Sequence, residues 1–175
     1  MGADNQQGRP DEQICSYIAG FVDGEGSFHI AIQRSPTVSI GWQLIPEFHV
    51  TQHKASKGVL ELIREVFGCG HLRPNHRTNP NDVTWVLVVR SREDLIERII
   101  PFFERFKLRT TKQEDFQKFA SIVRAMENKV HSTPEGFRKL LSIAFSMNAN
   151  GSRRKIKFDD IIANLEPSET IRQTF

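Results

Sequence analysis

The sequence predicts an α+β fold ordered α-β-β-α-β-β-α, followed by a helical C-terminal part. Two pairs of segments alternate apolar and polar residues with period two. Between and after them, apolar residues recur at i, i+3, i+4 and i+7 behind recognisable caps. The composition suits a packed interior: of 175 residues, 38% are hydrophobic and 26% charged, and the 13 Phe against one Tyr and two Trp suggest buried aromatics rather than a Tyr-rich surface.

Residues 1–10 (MGADNQQGRP) are polar and read as a disordered lead-in. Asp11 can cap a helix through Asp23, with Ile14, Tyr17, Ile18, Phe21 and Val22 at helical spacing, and Asp23-Gly24-Glu25-Gly26 is expected to stop it. Segment 27–34 alternates, with Phe28, Ile30 and Ile32 opposite His29, Ala31 and Gln33; segment 41–52 sets Leu44, Phe48 and Val50 against Gln43, Glu47 and His49. Pro46 removes a ladder donor from that run, which predicts an edge position or a bulge. An amphipathic helix over 54–67 ends at Gly68-Cys69-Gly70, and a second strand pair follows at 71–76 and 82–90. Ser91 with Asp94 opens a helix to Phe106, Thr111 with Glu114 another to Asn128, and Thr133-Pro134-Glu135 a third to about Asn150-Gly151. A basic run, Arg153-Arg154-Lys155-Ile156-Lys157, leads to a short helix over 158–165. The expected organisation is one domain over 11–166 with a tail at 167–175.

Charge is unevenly placed. The net balance is +3, but residues 1–100 hold 10 basic and 12 acidic side chains, and residues 101–175 hold 14 and 9. A basic C-terminal half favours a polyanionic partner. Cys15 and Cys69 form no metal-ligand or disulfide framework, and neither a membrane-length apolar run nor a signal-type core is present, so an intracellular protein with no membrane partner is expected.

The first helix has two unlike faces. Tyr17, Phe21, Ile14, Ile18 and Val22 make a bulky stripe expected to cover the chain's own sheet. The opposite side carries Cys15, Ser16, Ala19 and Gly20, small and uncharged, which suits the close approach of another helix. Two acids stand where that helix ends. Asp-Gly-Glu-Gly alone is commonly just a turn, and Asp23 is more naturally a helix-terminal hydrogen-bonding group than a ligand. His29 and His49 lack zinc-type spacing.

The stretch from Tyr17 to Ser27, Tyr-Ile-Ala-Gly-Phe-Val-Asp-Gly-Glu-Gly-Ser, resembles the signature of LAGLIDADG homing endonucleases in its single-motif, homodimeric, intron-encoded form. Phe48-His49-Val50-Thr51-Gln52 resembles the family's second strand. Pro101-Phe102-Phe103 through Lys107-Leu108-Arg109 resembles the entry to its later helices, and Ser146-Met147-Asn148 through Lys155 its basic C-terminal loop. The likeness spans about residues 14–166 in the expected order.

The resemblance implies a saddle-shaped antiparallel four-stranded sheet in the DNA major groove, where each base pair shows its own donor–acceptor pattern. Parity then assigns His29, Gln33, Gln43, His49, Arg73, Asn75 and Thr84 to the DNA side, with Ser35 in the adjoining loop. Arg153, Arg154, Lys155 and Lys157 are implied phosphate contacts. By the same resemblance Glu25 is the metal-binding carboxylate, with the Gly24 carbonyl beside it, for Mg²⁺ at two or more ions per dimer; Ca²⁺ is expected to support binding without cleavage. Gln52 is implied to position water, and either Lys112 or Arg109 to be the basic residue near the phosphate. The family's other basic position is Ser56 here, with Lys57 or Lys54 as substitutes. Ser16, Ala19 and Gly20 are implied to form the dimer seam, because one motif supplies half a site. The implied function is site-specific cleavage of a long pseudo-palindromic duplex. The rival reading is a non-cleaving DNA- or RNA-binding protein of the same fold, such as an intron maturase or regulator, with intron RNA as a possible partner.

Overall fold

The structure, a computed structural model, describes residues 11–76, 79, 81–148, 156–163 and 165. The expectations for residues 1–10 and 167–175, and for Arg153, Arg154 and Lys155, lie outside these. The elements are α1 (Glu12–Glu25), β1 (Gly26–Arg34), β2 (Trp42–His53), α2 (Lys57–Phe67), β3 (His71–Pro74), β4 (Thr84–Val89), α3 (Arg92–Asp94), α4 (Ile100–Arg105), α5 (Lys112–Glu127), α6 (Pro134–Phe145) and α7 (Phe158–Ile162). The four strands form one antiparallel sheet in the order β1-β2-β4-β3. The α+β order expected from the pattern is therefore the one observed.

The chain divides into two compact units, Met1–Ser27 with Phe48–Gln113, and Phe28–Glu47 with Glu114–Phe175. In the first, Ile18 and Val22 of α1, Phe48 and Val50 of β2, Leu60 and Ile63 of α2, Leu87 of β4 and Phe103 of α4 are fully buried. Phe48, Phe67, Phe102 and Phe103 meet with ring centroids 4.8–6.0 Å apart. In the second, Phe28 of β1 packs on Phe116 and Phe119 of α5 at 5.3 and 5.5 Å, and Phe137 and Leu141 of α6 are buried too. Of the described phenylalanines, Phe28, Phe48, Phe67, Phe103, Phe116, Phe119 and Phe137 are buried and the others half-buried, in line with the interior role the composition implied. Rings at these separations add to the burial of their area.

Local departures from the expected elements have physical causes. α1 runs through Gly24 and Glu25 instead of stopping at Asp23, and the Gly26 N–H closes it on the Val22 carbonyl. A Cβ on Gly26 would stand 2.5 Å from Val22 Cγ1 and 2.8 Å from Val22 O, so this glycine is required by space. Gly26→Ala is expected to cost about 1–3 kcal/mol as an overpacked position, read as a lower midpoint in denaturant unfolding. Pro46 lies on a stretch of β2 beyond the β4 register, which ends at Phe48↔Val89, so its missing N–H faces no β4 partner. The helix expected from Ser91 to Phe106 opens with the Ser91 hydroxyl accepting from the Asp94 N–H at 3.2 Å, then widens into a π turn over Leu95–Ile99 before α4. Pro101, lacking an N–H and bulky against the carbonyl four residues back, accounts for that wider turn. α6 ends at Phe145, short of Asn150, and Asn148 takes a left-handed φ of 50°.

Candidate active site and helix seam

The inward face of α1 is rotated from the expected one. Cys15, Ile18, Ala19 and Val22 are buried in the chain's own interior, a clean i, i+3, i+4, i+7 stripe, whereas Tyr17 is 53% exposed and Phe21 half-buried. The expectation that Tyr17 and Phe21 cover the sheet, and that Cys15 faces a partner, is thus corrected: Cys15 and Ala19 are small enough for α1 to lie close on its own core. What remains open is Ser16, Tyr17 and Gly20. Ser16, Ala19, Gly20 and Asp23 form one wall of a groove of about 810 Å³, and residues 105–109 form the other, so Ala19 is floor rather than rim. Arg105 pairs with Glu12 at 2.6 Å beside it.

At the end of α1 the two acids part company. Glu25 is exposed and makes no hydrogen bond or ion pair among the described residues. Asp23 turns to the segment leading into α5: its carboxylate accepts from the Arg109 N–H at 2.7 Å, from the Thr110 N–H at 3.2 Å and from the Thr110 hydroxyl at 2.6 Å. Lys112 reaches back, its Nζ donating to the Val22 carbonyl at 2.9 Å and the Gly24 carbonyl at 3.2 Å. Partial burial pushes the Asp23 carboxyl up, but the Thr110 hydroxyl, the two backbone N–H donors and the nearby Lys112 charge outweigh it and hold the carboxyl below its ordinary 3.8.

A carboxyl with a lowered folded value stabilises above the ordinary range and loses that contribution as pH falls through the folded value. Asp23→Asn is therefore expected to destabilise by about 1 kcal/mol at pH 7, the worth of a typical helix cap. As pH falls from 7 through the lowered folded value, the difference from wild type should shrink towards zero, which urea unfolding of both proteins across that range checks.

Of the two basic candidates, the structure brings the Lys112 ammonium to the Gly24 carbonyl; Arg109 contributes its backbone N–H to Asp23 and lines the groove. The expected Thr111–Glu114 capping box is not the arrangement at the start of α5. Thr110 accepts from the Lys112 N–H at 3.2 Å, and Gln113 Oε1 accepts from the Leu108 N–H at 3.0 Å. Gln52 stands near the end of β2 opposite Trp85, with its Oε1 accepting from the His53 N–H at 2.7 Å. The Lys57 ammonium is held by Glu61 at 2.7 Å and lies 4.5 Å over the Trp85 ring, while Ser56 opens α2 without a side-chain cap.

The sheet register supports the expected parity in the first unit. His49↔Val88, Thr51↔Val86 and His53↔Thr84 on β2 and β4, with Arg73↔Val86 on β3, place His49, Thr84 and Arg73 on one face, opposite Phe48, Val50 and Leu87. Asn75 extends the ladder through its N–H to the Thr84 carbonyl at 2.9 Å. In the second unit Gln33 and Gln43 are exposed, but Glu47 is only 5% exposed, because His29 Nε2 meets its carboxylate at 2.8 Å. Ser35 is 9% exposed; its hydroxyl pairs with Thr37 and its N–H with the Gly41 carbonyl. That places it as a turn-forming group rather than an outward contact. Lys157 is exposed immediately before α7. Sequence reasoning missed Thr110; its one local signal is the Thr-x-x-Gln spacing of Thr110 and Gln113.

The donors at the end of α1, a carboxylate and a backbone carbonyl, are all oxygen, the set a hard divalent cation takes. The residues present therefore fit the ion the resemblance implies.

Comparison with known proteins places this arrangement. The sequence profile described as LAGLIDADG endonuclease matches residues 18–123. DNA endonuclease I-CeuI of Chlamydomonas moewusii is 34% identical over 122 residues, covering 68% of this chain and 55% of that protein. The chain spans about half or less of the length of the first curated relatives it matches. Among solved structures, the homing endonuclease I-TnaI superposes with a TM-score of 0.78 at 37% identity, covering 87% of this chain and 97% of that one. I-SmaMI, bound to uncleaved DNA target in the presence of calcium ions, superposes with a TM-score of 0.72 at 30% identity, covering 84% and 48%. With the profile lying over the second half of α1, the whole sheet and most of α5, the chain belongs to the LAGLIDADG endonuclease family.

Proposed function

We propose that the chain is a divalent-metal-dependent DNA endonuclease that cuts a long pseudo-palindromic site as a homodimer. One observation carries this reading. Glu25 is exposed at the end of α1, beside a Gly24 carbonyl contacted by the Lys112 ammonium, and the same helix presents an open groove floored by small residues. A second α1 fits that groove, and Ser16 and Gly20 let two helix backbones approach closely. The partner's Glu25 then stands next to the first, and two half-sites arranged by a two-fold axis make the target pseudo-palindromic.

Glu25 would hold a divalent ion through its carboxylate oxygens and Gly24 through its carbonyl. When bound, a divalent ion activates the attacking water and stabilises the leaving oxygen. Lys112 sets a positive charge at the carbonyl end of α1, offsetting the negative helix terminus that would otherwise repel a phosphate. The face of His49, Arg73 and Thr84 reads base edges, with His29, Gln33, Gln43 and Asn75 as further contacts, and Arg153, Arg154, Lys155 and Lys157 neutralise phosphates. Gln52 orders water near the site. Mg²⁺ supports cleavage; Ca²⁺ supports binding alone.

The test is incubation of the full chain with a randomised duplex library in Mg²⁺ and sequencing of the cut molecules. Recovery of one long, two-fold-related motif supports the reading. Retention of library members in Ca²⁺ with no cleavage in Mg²⁺ or Mn²⁺ would favour a binding protein of the same fold.

A further inference from the structure

The end of α1 and the segment leading into α5 are tied to each other. Asp23, in the last turn of α1, accepts from the N–H groups of Arg109 and Thr110. Lys112, the first residue of α5, donates to the Val22 and Gly24 carbonyls at the end of α1. The ammonium sits at the negative C-terminus of α1, the helix end that favours it, while the carboxylate holds backbone N–H groups just ahead of α5. Within its own helix Asp23 is misplaced. The last turn of α1 holds no basic residue, and an acid there opposes the helix dipole. Its place is explained by what it holds across 86 residues of chain.

Thr110 joins the two halves. Its hydroxyl donates to Asp23 at 2.6 Å and accepts from the Lys112 N–H at 3.2 Å, so one group ties the acid to the backbone that carries the lysine. A hydroxyl can donate and accept at once; a carboxylate or a methyl in its place cannot.

We propose that Asp23 and Thr110 are positioning residues that fix the Lys112 ammonium at the Gly24 carbonyl, and so set the rate of cleavage without contributing to DNA affinity. The catalytic consequence rests on the reading of Lys112 given above; the positioning itself does not.

The test has two arms on the full chain. The first uses the duplex recovered from the randomised library by wild-type cleavage, with single-turnover rates in Mg²⁺ and affinity in Ca²⁺. Thr110→Val is expected to slow cleavage about 10- to 100-fold with affinity within about twofold, and Thr110→Ser to restore the rate to within about threefold. Combined with Lys112→Met, Thr110→Val should slow cleavage no further, because both changes remove the same contribution. A wild-type rate for Thr110→Val, or multiplying effects in the combination, overturns the inference. A wild-type rate for Lys112→Met strikes the reading of Lys112 instead.

The second arm needs no DNA. In Thr110→Val the NMR signal of the Lys112 side-chain CεH₂ group is expected to move towards that of a solvent-exposed lysine. An unmoved signal overturns the positioning whatever the cleavage arm gives. If Thr110→Val does not fold, Asp23→Asn replaces it in both arms, with the same outcomes.

Discussion

Glu25→Gln should abolish cleavage while leaving DNA binding in place. The substitution keeps nearly the same volume and removes the charge by which this exposed position at the end of α1 is proposed to hold a divalent ion. In the proposed complex, affinity for a long duplex rests on the sheet face and on phosphate contacts that do not pass through Glu25, and removing a carboxylate near phosphates would favour binding. Loss of the activated water and of leaving-group stabilisation should lower the rate at least ~1000-fold, about 4 kcal/mol of barrier. A gel shift in Ca²⁺ paired with a cleavage assay in Mg²⁺ on one duplex separates the two effects. A variant that binds and still cuts at near wild-type rate would remove Glu25 from the chemistry.

Gly20→Leu should give a folded monomer that does not cut. A Cβ at Gly20 meets nothing within 4 Å in the chain itself, so the substitution disturbs no internal packing and exchanges a helix-interior glycine for a better helix former. The same side chain would stand in the groove beside Ser16 and Ala19, where the proposed dimer seats the backbone of a second α1. Sedimentation should show one chain in place of two, with the circular dichroism of the wild type and no double-strand cleavage. A dimer that survives this change would place the interface elsewhere.

The fold was legible because its signals are local. Phe28 and Ile30 alternate against His29 and Ala31, and the strand they predict is observed with Phe28 and Ile30 buried. Parity carried over to β3 and β4 as well, since the register puts Arg73 and Thr84 on the face of His49. What misled was reading apolar bulk as burial. Tyr17 and Phe21 looked like core, yet the smaller Cys15 and Ala19 lie inside, because close packing of α1 on its own unit selects size as well as polarity. Glu47 was expected on an open polar face; its burial depends on a His29 partner 18 positions away in the chain, which no local pattern reveals. The choice between Arg109 and Lys112 was undecidable for a similar reason. Both are basic and three residues apart, and only the return of Lys112 to the carbonyls of Val22 and Gly24 separates them.

The proposed dimer gives each strand of the duplex one Glu25, supplied by one copy. This is tested most directly with a mixed dimer, one copy wild type and the other carrying Glu25→Gln, co-expressed with two different tags and purified through both. On a supercoiled plasmid bearing the selected site, the mixed dimer is expected to yield nicked circles, cut in one strand, while the wild-type dimer yields linear product. Linear product from the mixed dimer at the wild-type rate would contradict the claim, because one Glu25 would then suffice for both strands.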